Sequence, residues 1–398
     1  LKIKGSFLCF SAQISFGLKP LRFTLPLWFS PFYTRKSEIP FIDDSCFLCN
    51  KGNRGASMRI LIHGREGTLS SEMLRALRAE DEIVIGTEKV DHRTDVVAVS
   101  DDSSKDIFSI WKNLDPSVSL LMASSHLLPF VKHLGSGNIF HIPLIHTNFD
   151  VKNALEAIRR QRVLENSLKS YFVGKSRIMK RLRSQIAFSS LSSLPVHLYG
   201  ETGTGKTFSS RLIHTISGNR KKLVYVNCSN LNSNLGDSDL FGHTKGAFTS
   251  SCSERKGLLG LADDSTLFLD EVGDLPLDLQ GKLLDAIENG TYRKIGSDTE
   301  DRSSFRLITA AHRSLEELVE DKKLRKDFYY RIKNISIYFP PLKDHLEDIP
   351  DLIKDYEEKN SITDIRLKDW NPLMEYGWEG NVRELLHFLD RVYKNKRL

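Results

Sequence analysis

Cysteine is scarce in this chain of 398 residues: Cys9, Cys46, Cys49, Cys228 and Cys252. An odd, scattered set excludes a disulfide framework and points to a reducing cytoplasm. Cys46 and Cys49 form a lone C-x-x-C with no second pair and no βαβ context, too little for a zinc or redox site. Long apolar runs are also lacking. None reaches the roughly 18 residues of a membrane-spanning helix, so no membrane partner is expected. An excess of one charge is missing from most of the chain. The net charge is +6, but residues 1–57 hold eight Lys/Arg against three Asp/Glu, leaving +1 for the rest. That balance excludes a general basic surface for nucleic acid. Methionine is absent before Met58, and the chain opens on Leu1. Residues 1–57 are therefore expected to be a leader outside the natural protein, or disordered. A signal peptide fits less well, because no uninterrupted apolar core or small-residue cleavage site follows the early lysines.

What is present centres on Gly200, Glu201, Thr202, Gly203, Thr204, Gly205, Lys206 and Thr207, which match G-x-x-x-x-G-K-[ST] at every fixed position. An apolar strand, 196–199, precedes them. A helix follows, with Phe208, Leu212, Ile213 and Ile216 on one face. In that setting glycines let backbone N–H groups wrap phosphates, and the helix start adds positive potential. Lys206 is expected at the β- and γ-phosphates of ATP, and Thr207 on Mg²⁺. Downstream, Leu267–Glu271 reads as a buried strand ending in two carboxylates. Asp270 is expected to hold Mg²⁺ through its water shell, and Glu271 to polarise the attacking water.

Between Met58 and residue 150, five short apolar segments alternate with helical patterns: 58–63, 82–86, 95–99, 118–123 and 138–145. This rhythm predicts a doubly wound parallel sheet. The domain resembles a response-regulator receiver of two-component systems, but its chemical residues depart from that pattern. His63-Gly64-Arg65 stands where acidic residues are needed, Ser100 at the phospho-acceptor position, and His146-Thr147 where Lys-Pro is usual. Clustered acids that would hold Mg²⁺ are missing, so a non-phosphorylatable domain is expected. Asp101 stays open as a shifted acceptor. Residues 151–170 form a charged helix pattern, read as a linker with a short seam that could pair subunits.

From residue 171 onward the chain resembles the AAA+ domain of sigma-54-dependent transcription activators, the bacterial enhancer-binding proteins. The segments carrying this resemblance are GETGTGKT (200–207), VNCSNL (226–231), DLFGHTKGAFT (239–249), TLFLDEVGDLPLDLQGKLL (266–284), LRKDFYYRI (324–332), FPPLKDHLEDIP (339–350) and WEGNVREL (378–385). The resemblance implies an α/β ATPase core over 171–340 and a small helical lid over 341–398. It also implies site roles. Asn227 restrains the catalytic Glu271. Arg325 and Arg331 reach a neighbouring subunit's nucleotide. Arg383 senses nucleotide from the lid, and Gly174 joins the nucleotide-binding residues. Phe248 and Thr249 touch sigma-54 from a projecting loop.

Three departures stand out. Ser250-Ser251 replaces the usual Gly-Ala, and serine restricts φ where glycine would not. His312 occupies a sensor position that normally holds Asn, and its charge state would add pH sensitivity. No helix-turn-helix pattern follows the lid, so either the chain is truncated or it works without direct enhancer binding. The expected function is a cytoplasmic Mg²⁺-ATPase, assembled as a hexameric ring, that remodels sigma-54 RNA polymerase. Two other readings remain: a nucleotide-holding regulatory module that does not engage sigma-54, and an AAA+ remodeller of another protein client.

Overall fold

The computed structural model describes residues 148–231, 236–247, 253–362 and 371–395, together with 58–63, 81–85, 94, 96–100, 115, 118–123 and 139–142. The leader, the helical stretches between the first five strands, Asp101, Phe248, Thr249, Ser250 and Ser251 lie outside the described residues.

Five strands form the first sheet: β1 (Arg59–His63), β2 (Glu82–Ile85), β3 (Val96–Ser100), β4 (Ser119–Ala123) and β5 (Ile139–Ile142). They are all parallel, in the order β2-β1-β3-β4-β5. That is the flavodoxin-like winding expected from the alternating pattern. Val96, Val97, Ala98 and Val99 are all buried, as a strand covered on both faces requires.

Helix α1 (Asn148–Leu168) leaves this sheet and continues into the next unit. Val151, Leu155 and Ile158 pack with Ile60, Val96 and Leu121. Leu164 and Leu168, further along the same helix, pack with Leu182, Ile186 and Phe339. Leu155, Ile158, Leu164 and Leu168 of the supposed pairing seam are therefore buried within the chain, while Ala154 and Val163 are only partly buried. Buried Arg159 pairs with the Asp81 carboxylate at the sheet end of α1, and Gln161 donates to Ser184 Oγ at 3.0 Å towards the other end.

The second unit begins with α2 (Arg177–Leu191), capped by Ser176, whose side chain accepts from Met179 N at 3.1 Å. Then follow β6 (Val196–Gly200), α3 (Lys206–Ile216), β7 (Val224–Asn227), α4 (Gly236–Phe241), β8 (Gly242–His243), β9 (Arg255–Lys256), α5 (Leu258–Leu261) and β10 (Ser265–Asp270). The chain continues through α6 (Leu277–Asn289), β11 (Thr291–Arg293), β12 (Glu300–Arg302), β13 (Phe305–Ala311), α7 (Leu315–Glu320), α8 (Lys326–Ile332) and β14 (Ile335–Phe339).

The main sheet is parallel with the order β14-β6-β13-β10-β7. Its interior strand β10 is buried at all six positions, as its apolar run predicts. Successive side chains take opposite faces: Leu267 and Leu269 enter one core, Phe268 the other. Edge strand β14 instead alternates, burying Ile335, Ile337 and Phe339 while Ser336 and Tyr338 face out. In α3, Leu212 and Ile213 are buried, and Phe208 and Ile216 pack partly buried on the same core, which is the predicted face. The lid follows as α9 (Ile349–Lys359), α10 (Asn371–Glu375) and α11 (Asn381–Asn395), closed around Trp378, Ile353, Leu385 and Leu389.

Candidate active site

Winding order brings the candidate residues together. In parallel sheets, sites form beyond the carboxyl ends of strands, where connections run off in opposite directions. Here β6 sends the chain towards the β7 edge, while β13 sends it across to β14. The phosphate loop after β6 thus neighbours His312 after β13. The end of β10 comes next, carrying Asp270, which pairs in register with Asn227 of β7.

The loop has the backbone its glycines forecast. Gly203 has φ 82° and Gly205 φ 102°, values that side chains rarely adopt. Gly205 stands at the N-cap of α3, where no side chain caps the helix. The free N–H groups of that first turn are donors suited to an anion. Lys206 is buried, and its ammonium donates to the carbonyls of Gly200 at 2.6 Å and Glu201 at 3.0 Å. Burial lowers its pKa, opposed by the carboxylates of Glu271 and Asp270.

The two carboxylates have distinct surroundings. Asp270 Oδ2 accepts from the Thr207 hydroxyl at 3.2 Å and from the Tyr225 hydroxyl at 3.2 Å. Burial, then the Asp270 charge, pushes the Tyr225 phenol up to about 12. Glu271 is not the last strand residue, as its sequence position implied. The strand stops at Asp270, and Glu271 turns into the left-handed region with φ 53°. Burial raises its pKa, and the nearby His312 works against that rise. His312 Nε2 lies 3.0 Å from Glu271 Oε1, and His312 Nδ1 lies 3.3 Å from Thr202 Oγ1.

The lid seats directly on the loop. A Cβ at Gly203 would stand 2.1 Å from the Gly380 carbonyl oxygen, so only glycine allows this approach. Arg383 N donates to Gly203 O at 3.3 Å, which puts the start of α11 beside the phosphate loop. Asn381, fully buried, donates to Glu201 Oε2 at 3.1 Å and Thr202 O at 3.0 Å, and accepts from Leu342 N at 2.7 Å. Gly174 sits at a second seam. Its carbonyl accepts from Arg183 at 2.9 Å, and a Cβ there would meet the Asp348 carboxylate at 2.6 Å. Asp348 accepts from Lys175 N at 2.7 Å and Ser176 N at 2.9 Å.

Glu201–Thr207, Asp270, Glu271, Asn227 and Arg383 therefore share one edge. Asn227 Oδ1 accepts from Ser229 N at 3.0 Å, while Glu271 meets His312. Arg325 and Arg331 have their contacts elsewhere. Arg325 pairs with Asp327 at 2.7 Å, and Arg331 donates to Ile287 O of α6 at 3.2 Å. Sequence reasoning missed Asn381, Tyr225 and Asp348. A signal existed for Asn381: it follows glycine at a helix start, and Asn tolerates left-handed backbone better than most residues.

The donor set suits a magnesium nucleotide. Mg²⁺ takes one or two protein oxygens and fills its octahedron with water and phosphate oxygens. Thr207 and Asp270 offer such a pair, already in contact. Among the described residues, no cluster of three His, Cys, Asp or Glu side chains provides an all-protein metal cage. No described helix is long and apolar enough to cross a membrane.

The same part of the chain is similar to known proteins. The sigma-54 interaction domain matches residues 172–338. The formate hydrogenlyase transcriptional activator FhlA of Escherichia coli is 40% identical over 227 residues, covering 55% of this chain and 33% of that protein. The anaerobic nitric oxide reductase transcription regulator NorR of Vibrio vulnificus is 37% identical over 274 residues, covering 67% and 53%. The chain thus spans between a third and about half of these relatives' lengths. The crystal structure of NtrX from Brucella abortus in complex with ATP shares the fold, with a TM-score of 0.51 at 22% identity, covering 86% of this chain and 84% of that one. Over residues 172–338, the chain belongs to the sigma-54 interaction domain family.

Proposed function

We propose that this chain is a Mg²⁺-dependent ATPase, active in the cytoplasm as a hexameric ring, that remodels sigma-54 RNA polymerase. The observation that carries the chemistry is the convergence of Lys206, Thr207, Asp270 and Glu271 beside an uncapped helix start. In this reading the loop N–H groups and Lys206 hold the phosphates. Thr207 and Asp270 hold Mg²⁺, which supplies charge neutralisation on the phosphate oxygens. Glu271 orients the attacking water and takes its proton; its raised pKa suits a group that must accept one.

Assembly is supported by where the arginines stand. Arg325 stands at the N-cap of helix α8 and Arg331 in its last turn, their contacts are with Asp327 and the Ile287 carbonyl rather than the phosphate loop, and Tyr330 beside them is 75% exposed. A neighbouring copy is the surface on which such a group would be covered. Engagement of sigma-54 rests on the GAFT sequence at 246–249.

The test uses the full chain. ATP turnover per subunit should rise with protein concentration through the assembly range. Glu271→Gln should bind ATP as wild type does, yet lose turnover by about a hundredfold or more. Turnover strictly proportional to protein concentration would count against a shared site. Failure of the wild-type chain to bind sigma-54 with a transition-state mimic of ATP would remove the proposed client.

A further inference from the structure

The geometry points to His312 as the positioning residue for Glu271, and we propose that it carries the state of the phosphate loop to that carboxylate. The inference rests on the ATPase reading and deepens it.

A carboxylate can only accept hydrogen bonds, so the imidazole nitrogen 3.0 Å from Glu271 Oε1, Nε2, carries the proton. A neutral ring then leaves Nδ1 as an acceptor. The Thr202 hydroxyl, 3.3 Å away, is the donor that fits it. One ring thus joins a phosphate-loop side chain to the water-activating carboxylate. Parallel pairing makes this possible. Ala311 pairs with Tyr199, so the residue after β13 emerges beside the loop after β6.

Both ends of the connection are anchored. The Thr202 carbonyl is held by Asn381 from the lid. Glu271 leaves β10 in the left-handed backbone region, which turns the chain directly after Asp270. The Asn227 side-chain oxygen accepts from Ser229 N, and the Glu271 carboxylate meets His312. A displacement of Thr202 as phosphates enter the loop would therefore reach Glu271 through a single imidazole. His312 needs no contact with the nucleotide to do this. It acts on the water through Glu271.

Side-chain size provides the test. The amide nitrogen of glutamine reaches roughly as far as histidine Nε2, while that of asparagine reaches only as far as Nδ1. In the full chain, His312→Ala should lower kcat by about tenfold or more, with KM and the affinity for a fluorescent ATP analogue within about twofold of wild type. Thr202→Val should lower kcat part of the way, and Thr202→Val/His312→Ala should be no worse than His312→Ala alone. His312→Gln should recover more turnover than His312→Asn, and should be indifferent to Thr202→Val. An unchanged kcat in His312→Ala, or effects of the two substitutions that simply multiply, would overturn the proposal. Glu271→Gln, assayed in parallel, separates the two levels. If it stays active, the hydrolysis reading falls with the inference. If it is inactive while His312→Ala is not, only the inference falls.

Discussion

Replacing Asn381 by alanine should detach the lid from the phosphate loop. The side chain is fully buried and serves two segments at once. Its oxygen takes the buried Leu342 N–H at 2.7 Å, and its amide reaches Glu201 Oε2 at 3.1 Å and Thr202 O at 3.0 Å. Orphaning the Leu342 N–H costs about 1–3 kcal/mol, and each lost donated bond about 1 kcal/mol. Asn381 also has φ 56°. Alanine there adds about 1 kcal/mol that asparagine partly avoids. The sum, about 4–6 kcal/mol, falls on one seam. Hydrogen exchange should show the Leu342 amide and the first turn of α11 losing protection, while the interior strand β10 keeps its own. Asn381→Gly removes the same bonds without the backbone strain, so it should be milder by about 1 kcal/mol. Asn381→Asp keeps the acceptor for Leu342 but sets a second carboxylate against Glu201, and should loosen the loop side alone. Full protection of the Leu342 amide in Asn381→Ala would refute the reasoning.

Two further outcomes are expected. Buried His197 has its pKa pushed down from 6.5 to about 4 by burial, so it stays neutral in the fold while the unfolded chain binds a proton. Its stabilising contribution is complete above pH 6.5 and is lost as pH falls towards 4, by about 1.4 kcal/mol per pH unit. Urea titrations at pH 7.5 and 5.0 should show wild type losing about 2 kcal/mol more than His197→Asn over this interval; equal losses would disprove it. Arg325→Ala and Arg331→Ala should each cut ATP turnover by about a hundredfold or more, with nucleotide affinity unchanged. Mixing Arg325→Ala chains with Glu271→Gln chains should restore part of the turnover, and no recovery on mixing would argue against an active site built by two subunits.

Much of this architecture was legible from local pattern. The parallel sheets follow from short apolar strands alternating with helical stretches, and β10 announced its burial by an unbroken apolar run ending in acids. The phosphate loop was readable because its chemistry lies in eight consecutive residues. Contacts between distant segments were not readable. Tyr225 meets Asp270 only because β7 pairs with β10, and Asn381 meets Thr202 only because the lid folds back across about 180 residues. Glu271 shows a subtler limit. Its place after an apolar run reads as strand, but its left-handed turn is a one-residue event that periodicity does not encode. His312 was visible as a departure, yet its two partners appear only once β13 lies between β6 and β10.

Helix α1 belongs to two cores without a break. Val151, Leu155 and Ile158 are embedded in one, Leu164 and Leu168 in the other. A helix turns about 100° per residue, so the angular setting of one core against the other is fixed by the number of residues between Ile158 and Leu164. One residue inserted there would rotate the two cores out of step, whereas seven would return nearly the same facing about 10 Å further apart. The first sheet is therefore geared to the second core rather than tethered to it, and torque is what such a shaft transmits.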